Sequence, residues 1–559
     1  MQPLISAMTT LREVFAAAVK SLLRGKSIIQ AILAFWISPT AFKGGDAAAA
    51  VNTKSDTKAN GARRSVQDFL REAEELFLLP IERDRLKELA AGLKAQFRER
   101  LLTNPACMLP SYNHQLPNGI ERGQFLALDV GGSTLRVALV ELRGREAHGS
   151  ESGIIRKSSF KITPEIKSLE GLAFFDWMAQ RVSETIASSL EQDNSPENPI
   201  LMGMAWSFPI EQTSLKGGLL QGMGKGFSAA NGLMGQDLGE IIKFACKKQL
   251  LHVELAAIVN DSTAALLSQA YTKATTRFSL ILGTGVNVAV HLPVSTVGKD
   301  KFGVRPADWF EKASHVVVNT ELGMFGHGIL PVTRWDVALN TSHPKPDFQP
   351  LEHLVSGYYL GEMCRLALEE AVESTGMLGG VMPPSLLRPY TLDAETLSII
   401  EADTSASLET GTSTWNARHP SSTNASPADI AAIRTLASLI SRRSSAIVAA
   451  AIFALWDFKA EAEADFLRSL TSGSDPSRPQ SFAAETQAEL DLTRTRVAFN
   501  GSVIEQYPNY LANCQRYIDD LVSAEAGAAP GTVDLVAAKE SSLLGAAVAL
   551  ACLEDGKAN

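Results

Sequence analysis

The chain has few cysteines, and no two of them form a C-x-x-C pair. They are scattered over much of the length, at Cys107, Cys246, Cys364, Cys514 and Cys552. This spacing argues against a disulfide framework of the kind found in small secreted domains, and it provides no set of zinc ligands. It fits a reducing compartment, and we expect the main body to be cytoplasmic.

Positive charge is scarce relative to negative charge. With 52 Lys and Arg against 61 Asp and Glu, the net charge is −9, and no basic stripe stands out in the main body. A nucleic-acid binder needs such a stripe to neutralise phosphates, so we expect no nucleic-acid partner. A content of 45% hydrophobic and 20% charged residues is typical of globular proteins. Because 559 residues are too many for one ordinary core, two lobes or more are expected.

The amino-terminal segment contains very few acidic residues. Apolar residues recur with helical spacing over Leu11–Leu23, among basic ones, and Ser27–Phe42 is mostly apolar. That run falls short of the roughly 20 apolar residues that span a bilayer. It is compatible with a marginal anchor, an interfacial helix, a targeting segment, a secretory signal or an extra helix packed on the body. We interpret residues 1–63 as a targeting or membrane-associating segment ending in a tether. We expect membrane contact through residues 11–42, most plausibly with the mitochondrial outer membrane.

The main body contains two glycine turns, each between two strand-like runs. The first follows an aspartate, in FLALDVGGSTLRVALVEL at Phe125–Leu142, and the second lies in FSLILGTGVNVAVHL at Phe278–Leu292. A dinucleotide-binding G-x-G-x-x-G turn would open into a helix, whereas β-branched and aliphatic residues follow Gly131 and Gly132. Each unit is therefore predicted to be a hairpin whose turn lets backbone N–H groups face an anion. The pair indicates two similarly built halves; plain structural turns are the alternative.

A further polar position stands where a predicted strand gives way to a helix, in HVELAAIVNDSTAALLSQAY. Asn260 and Asp261 follow the strand, and Ser262 starts the helix. Phosphate transfer to a hydroxyl needs groups around the phosphates, a carboxylate near the magnesium and a base on the accepting hydroxyl. Asp129 and the glycine turns suit the first two tasks, and Asp261 suits the third. Capping of the helix is the alternative role for Asp261.

Together with their neighbours, these residues resemble the hexokinase family. The stretch Cys107–Leu142 is similar to the family's opening and first phosphate turn almost throughout, and the resemblance runs from about Arg64 to Cys552. The other matching stretches are SFPIEQTSL, VNDSTAAL, GTGVN, NTELGMFGHG, LEHLVSGYYLGEMCRLAL and ESSLLGAAVALA, the last being a worn form of the family's adenosine loop. In combination these motifs are highly specific.

The resemblance implies an α/β fold of the two-lobed, actin-like ATPase (ribonuclease H-like) class, with a sugar held in the cleft between a small and a large lobe. It divides the body into a small-lobe region, 64–260, and a large-lobe region, 261–559. Asp261 is implied to take the proton of the sugar's 6-hydroxyl, and Lys225 to lie near the transferring phosphoryl group as a second catalytic residue.

The same resemblance implies two sets of binding residues and no separate set of metal ligands. Those implied to surround a hexose, with glucose first, are Ser207, Lys225, Asn260, Asp261, Asn287, Glu321 and Glu352. Those implied to bind MgATP are Asp129, Gly131, Gly132, Ser133, Arg136, Gly283, Thr284, Gly285, Ser502, Ser542 and Gly545.

Several positions depart from the family's pattern. Gly224 stands where the family has a sugar-contacting threonine, and a lost neutral hydrogen bond of roughly 0.5–1.5 kcal/mol weakens sugar binding about tenfold. In the adenosine loop, D-G-S-G-x-G has become Glu540–Gly545, and we expect its two leucines to crowd the adenine. Asp261 is retained, so the sequence predicts that the chemistry survives and nucleotide binding is weakened. Further departures are Ser133 and Thr134 for T-N, Asn500 for aspartate, Leu322 for tryptophan and His327 for aspartate.

Two functions from different classes follow from this pattern. The first is an ATP-dependent hexose kinase feeding glycolysis, with Asp261 as its base. The second is a catalytically weak or inactive sugar sensor that regulates the response to carbon starvation. The worn adenosine loop and two Ser/Thr-rich insertions, 404–427 and 471–482, favour the second. We expect these insertions to be mobile surface loops and candidate contacts for a protein partner.

Overall fold

The computed structural model describes residues 64–186, 194–224, 226–306, 308–472 and 479–555. The predicted membrane-contacting segment, 11–42, lies outside these residues, and so does Lys225. The residues from Arg63 onward cluster as one compact unit, which is the body considered below.

The strands of the body form two larger sheets and one short ribbon. They are β1 (Leu109–Pro110), β2 (Arg122–Val130), β3 (Thr134–Arg143), β4 (Ser152–Lys161), β5 (Ile200–Trp206), β6 (Ile210–Gln212), β7 (Gly218–Leu220), β8 (Val253–Val259), β9 (Thr276–Leu282), β10 (Val286–Pro293), β11 (His315–Asn319), β12 (Thr495–Asn500) and β13 (Val533–Ala537). The first sheet has the order β4-β3-β2-β5-β8, the second has the order β1-β11-β10-β9-β12-β13, and β6 pairs with β7.

Both predicted hairpins are confirmed, and they occupy equivalent places in the two sheets. The first turn joins the antiparallel strands β2 and β3, and the second joins β9 and β10. In each sheet an antiparallel meander of three strands continues into two parallel strands. The two halves are therefore similarly built, as the repeated turn predicts.

Helices surround both sheets. The α-helices are α1 (Val66–Leu78), α2 (Arg83–Thr103), α3 (Pro164–Lys167), α4 (Leu172–Ile186), α5 (Leu238–Lys248), α6 (Asp261–Thr272), α7 (Trp309–Lys312), α8 (Arg334–Ser342), α9 (Pro350–Val355), α10 (Gly357–Thr375), α11 (Ala394–Ala402), α12 (Glu409–Arg418), α13 (Pro427–Thr471), α14 (Gln480–Leu490), α15 (Ser502–Gln506), α16 (Tyr510–Leu521) and α17 (Ser541–Asp555). A short 3₁₀ turn containing Pro80 separates α1 from α2, because proline provides no N–H for a continuing helix.

Helix α13 forms the centre of the large lobe. It begins with a capping box, in which the Ser426 hydroxyl accepts a hydrogen bond from Asp429 N–H and the Asp429 carboxylate accepts one from Ser426 N–H, and Pro427 follows at the first helical position. Among the described helices, only α13 is long and apolar enough to cross a membrane by length and composition, and 89% of its apolar stretch is buried inside the protein. It contacts α1, α2 and α16, so we interpret it as a core helix.

The two predicted regions of the body exchange helices. Although α1 and α2 precede the first sheet in sequence, their apolar faces belong to the core of the large lobe around α13. At the other end of the chain, α17 packs on β2, β5 and β8 of the first sheet, and α6, which follows β8, packs on β9 and β10 of the second. Each predicted region therefore supplies helices that pack in the core of the other: α1 and α2 in one direction and α17 in the other.

Helices α6 and α17 cross at Gly545. A Cβ placed on Gly545 would lie 2.0 Å from the carbonyl oxygen of Ala264, so only glycine permits this approach. Gly545→Ala is expected to lower the free energy of unfolding by about 1–3 kcal/mol, because backbone atoms must separate. Guanidinium unfolding measures the loss, with Gly222→Ala, which meets no atom within 4 Å, as the control. Equal stability of the two variants would contradict the close crossing.

The prediction that both Ser/Thr-rich insertions are loops is wrong for part of each insertion. Residues 404–427 contain helix α12. Its Trp415 is buried in the core of the large lobe, and this contact holds the segment in helical form. The second insertion begins at the last residue of α13 and ends inside α14, where Phe482 is buried. Residues 473–478, between them, lie outside the described chain.

Candidate functional site

Asp261 lies at the first position of α6, directly after the carboxyl end of β8. The residue that caps α6 is Asn260, whose Oδ1 accepts a hydrogen bond from Thr263 N–H at 2.8 Å. The carboxylate of Asp261 accepts one from Ser262 N–H at 2.7 Å and lines the cleft. The alternative that Asp261 serves as the helix cap is therefore wrong.

A cleft of about 1110 Å³ brings together most of the predicted sugar-binding residues. Ser207, Asn260, Asp261, Asn287 and Glu321 all line it. They come from the ends of β5, β8, β10 and β11, because strand ends of both sheets face the same opening. The sequence prediction thus converges on one cavity, although Glu352 does not line it.

A chain of side-chain hydrogen bonds crosses the floor of this cleft. The Asn287 amide donates to Asn319 Oδ1 at 2.8 Å, and the Asn319 amide donates to Glu321 Oε1 at 2.7 Å. Asn319 was not among the predicted site residues. Its place at the head of the NTELGMFGHG stretch was the available signal. The three side chains hold each other in position and present fixed donors and acceptors.

Glu321 is held in an unusual backbone conformation inside this floor. Its φ of 52° is in the left-handed region, which few residues other than glycine adopt. Burial raises the pKa of its carboxyl, and the nearby charge of Asp261 raises it further, while the Asn319 hydrogen bond lowers it. Such strain is typical of positions that are fixed by their surroundings for a function.

Glu352, outside the cleft lining, contacts the second glycine turn. Its Oε2 accepts a hydrogen bond from Val286 N–H at 2.9 Å, and a Cβ on Gly285 would lie 2.8 Å from the same oxygen. Gly285 is therefore needed for the carboxylate to reach the backbone of the turn. Glu352 holds this turn in place from α9.

The second glycine turn also meets the start of α15. The Gly283 carbonyl accepts a hydrogen bond from Gly357 N–H at 2.8 Å, and a Cβ on Gly283 would lie 3.5 Å from the backbone nitrogen of Ser502. Gly283, Thr284 and Ser502 are thus neighbours, as the prediction of a common nucleotide site requires.

The first glycine turn places Asp129 beside Arg136. The two residues face each other across β2 and β3, and their side chains form an ion pair at 3.4 Å. The turn itself is closed by a hydrogen bond from Gly131 N–H to the Thr134 carbonyl at 3.1 Å, and the Ser133 carbonyl accepts one at 2.8 Å from the N–H of Ile162, the residue after β4. Gly132 lies at the tip of the same turn.

The carboxyl of Asp129 holds its proton unusually strongly. Burial raises its pKa to about 6, the charges of Asp261 and Glu540 contribute to the rise, and Arg136 opposes it. Asp129 therefore lies within electrostatic reach both of the sugar cleft, through Asp261, and of the predicted adenosine segment, through Glu540.

Asp129→Asn is expected to raise the thermal midpoint clearly at pH 7.5 and by much less at pH 4.5. The pKa of this carboxyl rises from 3.8 to about 6 on folding, so the folded protein retains a proton that the unfolded chain releases within that window. Stability is therefore lost as the pH rises through it, and removing the charge removes that loss. Thermal unfolding between pH 4 and 8 tests this, with the exposed Asp300→Asn as control; the same shift at both pH values would contradict it.

The leucines of the predicted adenosine segment, Glu540–Gly545, do not lie where the sequence analysis expected them. Leu543 is fully buried in the core between α17 and the first sheet, so it does not crowd an adenine. Leu544 is half-buried against the same core. The left-handed backbone lies at Glu540, with φ 49°, and α17 begins at the next residue. Ser542 lies in the first turn of α17, whereas Gly545 is part of the helix crossing.

Gly224, which stands where the family has a threonine, adopts a backbone conformation that favours glycine. Gly224 has a φ of 64°, a region that β-branched residues avoid. A threonine restored here would therefore be strained in this conformation. The next residue along the chain, Lys225, lies outside the described residues.

Comparisons with known proteins give one consistent result. Two family models, both described as hexokinase, match residues 70–271 and 277–552. Hexokinase-9 of Oryza sativa subsp. japonica is 32% identical over 358 residues, which are 63% of this chain and 68% of the rice protein. Hexokinase-1 of Saccharomyces cerevisiae is 28% identical over 451 residues, 80% and 84% of the two chains.

Solved structures agree with this result. A Schistosoma mansoni hexokinase complexed with glucose is 26% identical and superposes with a TM-score of 0.67, covering 88% of this chain and all of the other. The predicted two-lobed, actin-like ATPase fold is thereby confirmed.

Proposed function

The chain belongs to the hexokinase family, and on that premise we propose that it transfers the terminal phosphoryl group of ATP to the 6-hydroxyl of a hexose, with glucose first among the candidates. The observation that carries this proposal is the position of Asp261. Its carboxylate lines the cleft and acts electrostatically on Glu321 at the cleft floor and on Asp129 beside the first glycine turn. A base between a sugar and a phosphate site needs this position.

The polar lining of the cleft suits a hexose. A sugar ring presents hydroxyls on all sides, each of which donates and accepts, and amide and carboxylate side chains provide both kinds of partner. Asn260, Asn287 and Glu321 supply them here. The hydrogen bonds from Asn287 through Asn319 to Glu321 fix these groups before a sugar arrives, which lowers the entropy cost of binding. The complexed sugar of the Schistosoma mansoni enzyme supports glucose as the first candidate.

Asp261 is proposed to accept the proton of the 6-hydroxyl as that oxygen attacks. Its hydrogen bond from Ser262 N–H orients the carboxylate at the start of α6. Closure of the two lobes would exclude water, which otherwise competes as the acceptor of the phosphoryl group. Lys225 is proposed to lie near that group.

The residues at the nucleotide end fit MgATP. The predicted phosphate turns supply backbone N–H groups, Arg136 supplies a cation, and Asp129 supplies a carboxylate oxygen of the kind that Mg²⁺ prefers. The charges of Asp261 and Glu540 act on the Asp129 carboxyl there, so an added cation would be accommodated. When bound, Mg²⁺ supplies neutralisation of the charge on the phosphates. Ser502 and Ser542 are proposed to contact the nucleotide.

A second candidate is a sugar-responsive regulator without significant turnover. The observation that favours it is the segment Glu540–Gly545, where Ser541 and Leu543 replace two glycines of the family's D-G-S-G-x-G and the Leu543 side chain is buried. Without these glycines the backbone can approach a nucleotide less closely, whereas the polar residues of the sugar cleft are present. Sugar binding would then be retained and phosphorylation largely lost.

The full-length protein distinguishes the two candidates. Formation of hexose 6-phosphate is measured with saturating glucose and high MgATP, and glucose binding is measured separately by calorimetry. Product formation supports the kinase. Glucose binding without product at saturation of both ligands overturns the kinase and leaves the regulator. Absence of glucose binding by a folded protein overturns both.

A further inference from the structure

An ion pair that the sequence analysis did not identify lies at the nucleotide end of the body. The ammonium of Lys157, on β4, contacts Glu540 Oε1 at 2.6 Å. Building on the proposed kinase function, we propose that Lys157 is a nucleotide-binding residue that contacts a phosphate, and that Glu540 occupies it when no nucleotide is bound. Glu540 thereby acts as an internal competitor of the nucleotide.

The register of the first sheet aligns Lys157 with Arg136. Lys157 pairs with Ala138 on the neighbouring strand β3, and Arg136 pairs with Ser159. Because side chains two residues apart share a face of a sheet, Arg136 and Ala138 lie on one face, and Ala138 belongs to the core beneath α17. The contact between Lys157 and Glu540, which precedes α17, shows that Lys157 points to that same face. Arg136 and Lys157 therefore lie on the same face of the first sheet, and Lys157 is the farther of the two from the first glycine turn.

The contact with Lys157 leaves one oxygen of the Glu540 carboxylate without a hydrogen bond from the described residues. Its Oε2 is buried and accepts no hydrogen bond from the described residues, whereas Oε1 carries the contact with Lys157. Its left-handed backbone, with φ 49°, is a costly conformation for a residue with a Cβ. The charge of Glu540 also acts on Asp129. The carboxylate is thus held in a strained and under-bonded position among other negative charges.

This balance favours an exchange of partners when a nucleotide binds. A phosphate carries more negative charge than a carboxylate and offers several acceptor oxygens, so it competes well for an ammonium group. The side chains of Lys157 and Glu540 are 37% and 36% exposed, which leaves both room to move. The nucleotide must therefore displace Glu540, and its affinity is reduced by the strength of the pair.

The two partners should consequently respond in opposite directions. Lys157→Met removes a charge-assisted hydrogen bond and is expected to weaken MgADP binding about tenfold. Glu540→Gln frees the lysine, removes a repelling charge and is expected to tighten binding about fivefold. In the double variant, Glu540→Gln should tighten MgADP binding much less than it does in the wild type, because the lysine that it would free is absent. A merely structural ion pair would make both single variants bind more weakly.

Calorimetric titration of the full-length protein with MgADP, in the presence of glucose, measures these changes. The matched control is the ion pair of Lys248 with Asp176, at 2.8 Å, whose side chains are 40% and 36% exposed. Lys248→Met and Asp176→Asn should leave the Kd for MgADP unchanged. Thermal unfolding of each variant verifies that it is folded.

The remaining outcomes all decide the proposal. Unchanged affinity in both Lys157→Met and Glu540→Gln overturns it while leaving the kinase intact, as does weaker binding in both. If neither the wild type nor Glu540→Gln binds MgADP while glucose still binds, the proposal and the nucleotide part of the proposed function fall together. Binding that appears only in Glu540→Gln supports the proposal most strongly.

Discussion

Asp261→Asn is expected to lower kcat for hexose phosphorylation by about 10²–10⁴-fold and to change the Kd for glucose little. Asparagine has nearly the same shape and keeps an oxygen that accepts the hydrogen bond from Ser262 N–H, so α6 should start unchanged. It cannot take up the proton of the sugar hydroxyl, however. Sugar contacts from Asn287 and Glu321 remain, which is why binding should survive.

Steady-state kinetics and glucose calorimetry on the same preparations separate the two effects. Asp465→Asn, an exposed carboxylate on α13 that pairs with Arg468, is the control and should match the wild type. A kcat within threefold of the wild type would rule out Asp261 as the base. A loss of glucose affinity with an unchanged kcat would assign Asp261 to sugar binding alone.

Arg443→Met is expected to lower the free energy of unfolding by about 3–5 kcal/mol. Arg443, on α13, is fully buried and makes two contacts with the carboxylate of Asp336 on α8, at 2.7 and 2.9 Å. Its guanidinium also lies over the ring of Phe77, at 4.7 Å from the centroid. Without the arginine, the carboxylate of Asp336 stays buried without its charged partner.

Denaturant unfolding of the large lobe measures this loss. Arg468→Met is the matched control, because it removes an arginine from the same helix and breaks an ion pair that is exposed. Exposed pairs contribute about 0.2–1 kcal/mol, so the control should differ little from the wild type. The double variant Arg443→Met, Asp336→Leu should recover part of the loss, since no buried charge is left. Equal losses in Arg443→Met and Arg468→Met would contradict the role of burial.

Features that depend on neighbouring residues were predictable from the sequence. Both glycine turns, the strands on either side of them and the end of α1 at Pro80 follow from local patterns of side chains and backbone restrictions. The convergence of Asp261, Asn287 and Glu321 followed from the resemblance, which carries information about the whole fold. Asn260 as the cap of α6 is a local feature too, although the sequence analysis considered only Asp261 for that role.

Contacts between distant residues were not predictable in this way. Lys157 and Glu540 are 383 positions apart, and Asp336 and Arg443 are 107 positions apart. No local pattern brings either pair together, because the contact exists only once the sheets and helices have assembled. The helix inside 404–427 was missed for a related reason: its composition is that of a loop, and burial of Trp415 outweighs that preference.

The exchange of helices between the lobes has a consequence for how the chain is made. The last strand of the first sheet ends at Val259, yet helix α17, which covers one face of that sheet, ends at Asp555. Roughly 300 residues must be synthesised in between, which takes about 15–60 s at about 5–20 residues per second. During that interval this apolar face of the first sheet lacks α17 and has only α6 beside it. The nascent chain therefore depends on protection from aggregation until translation is complete, and a prematurely terminated chain lacks that cover permanently.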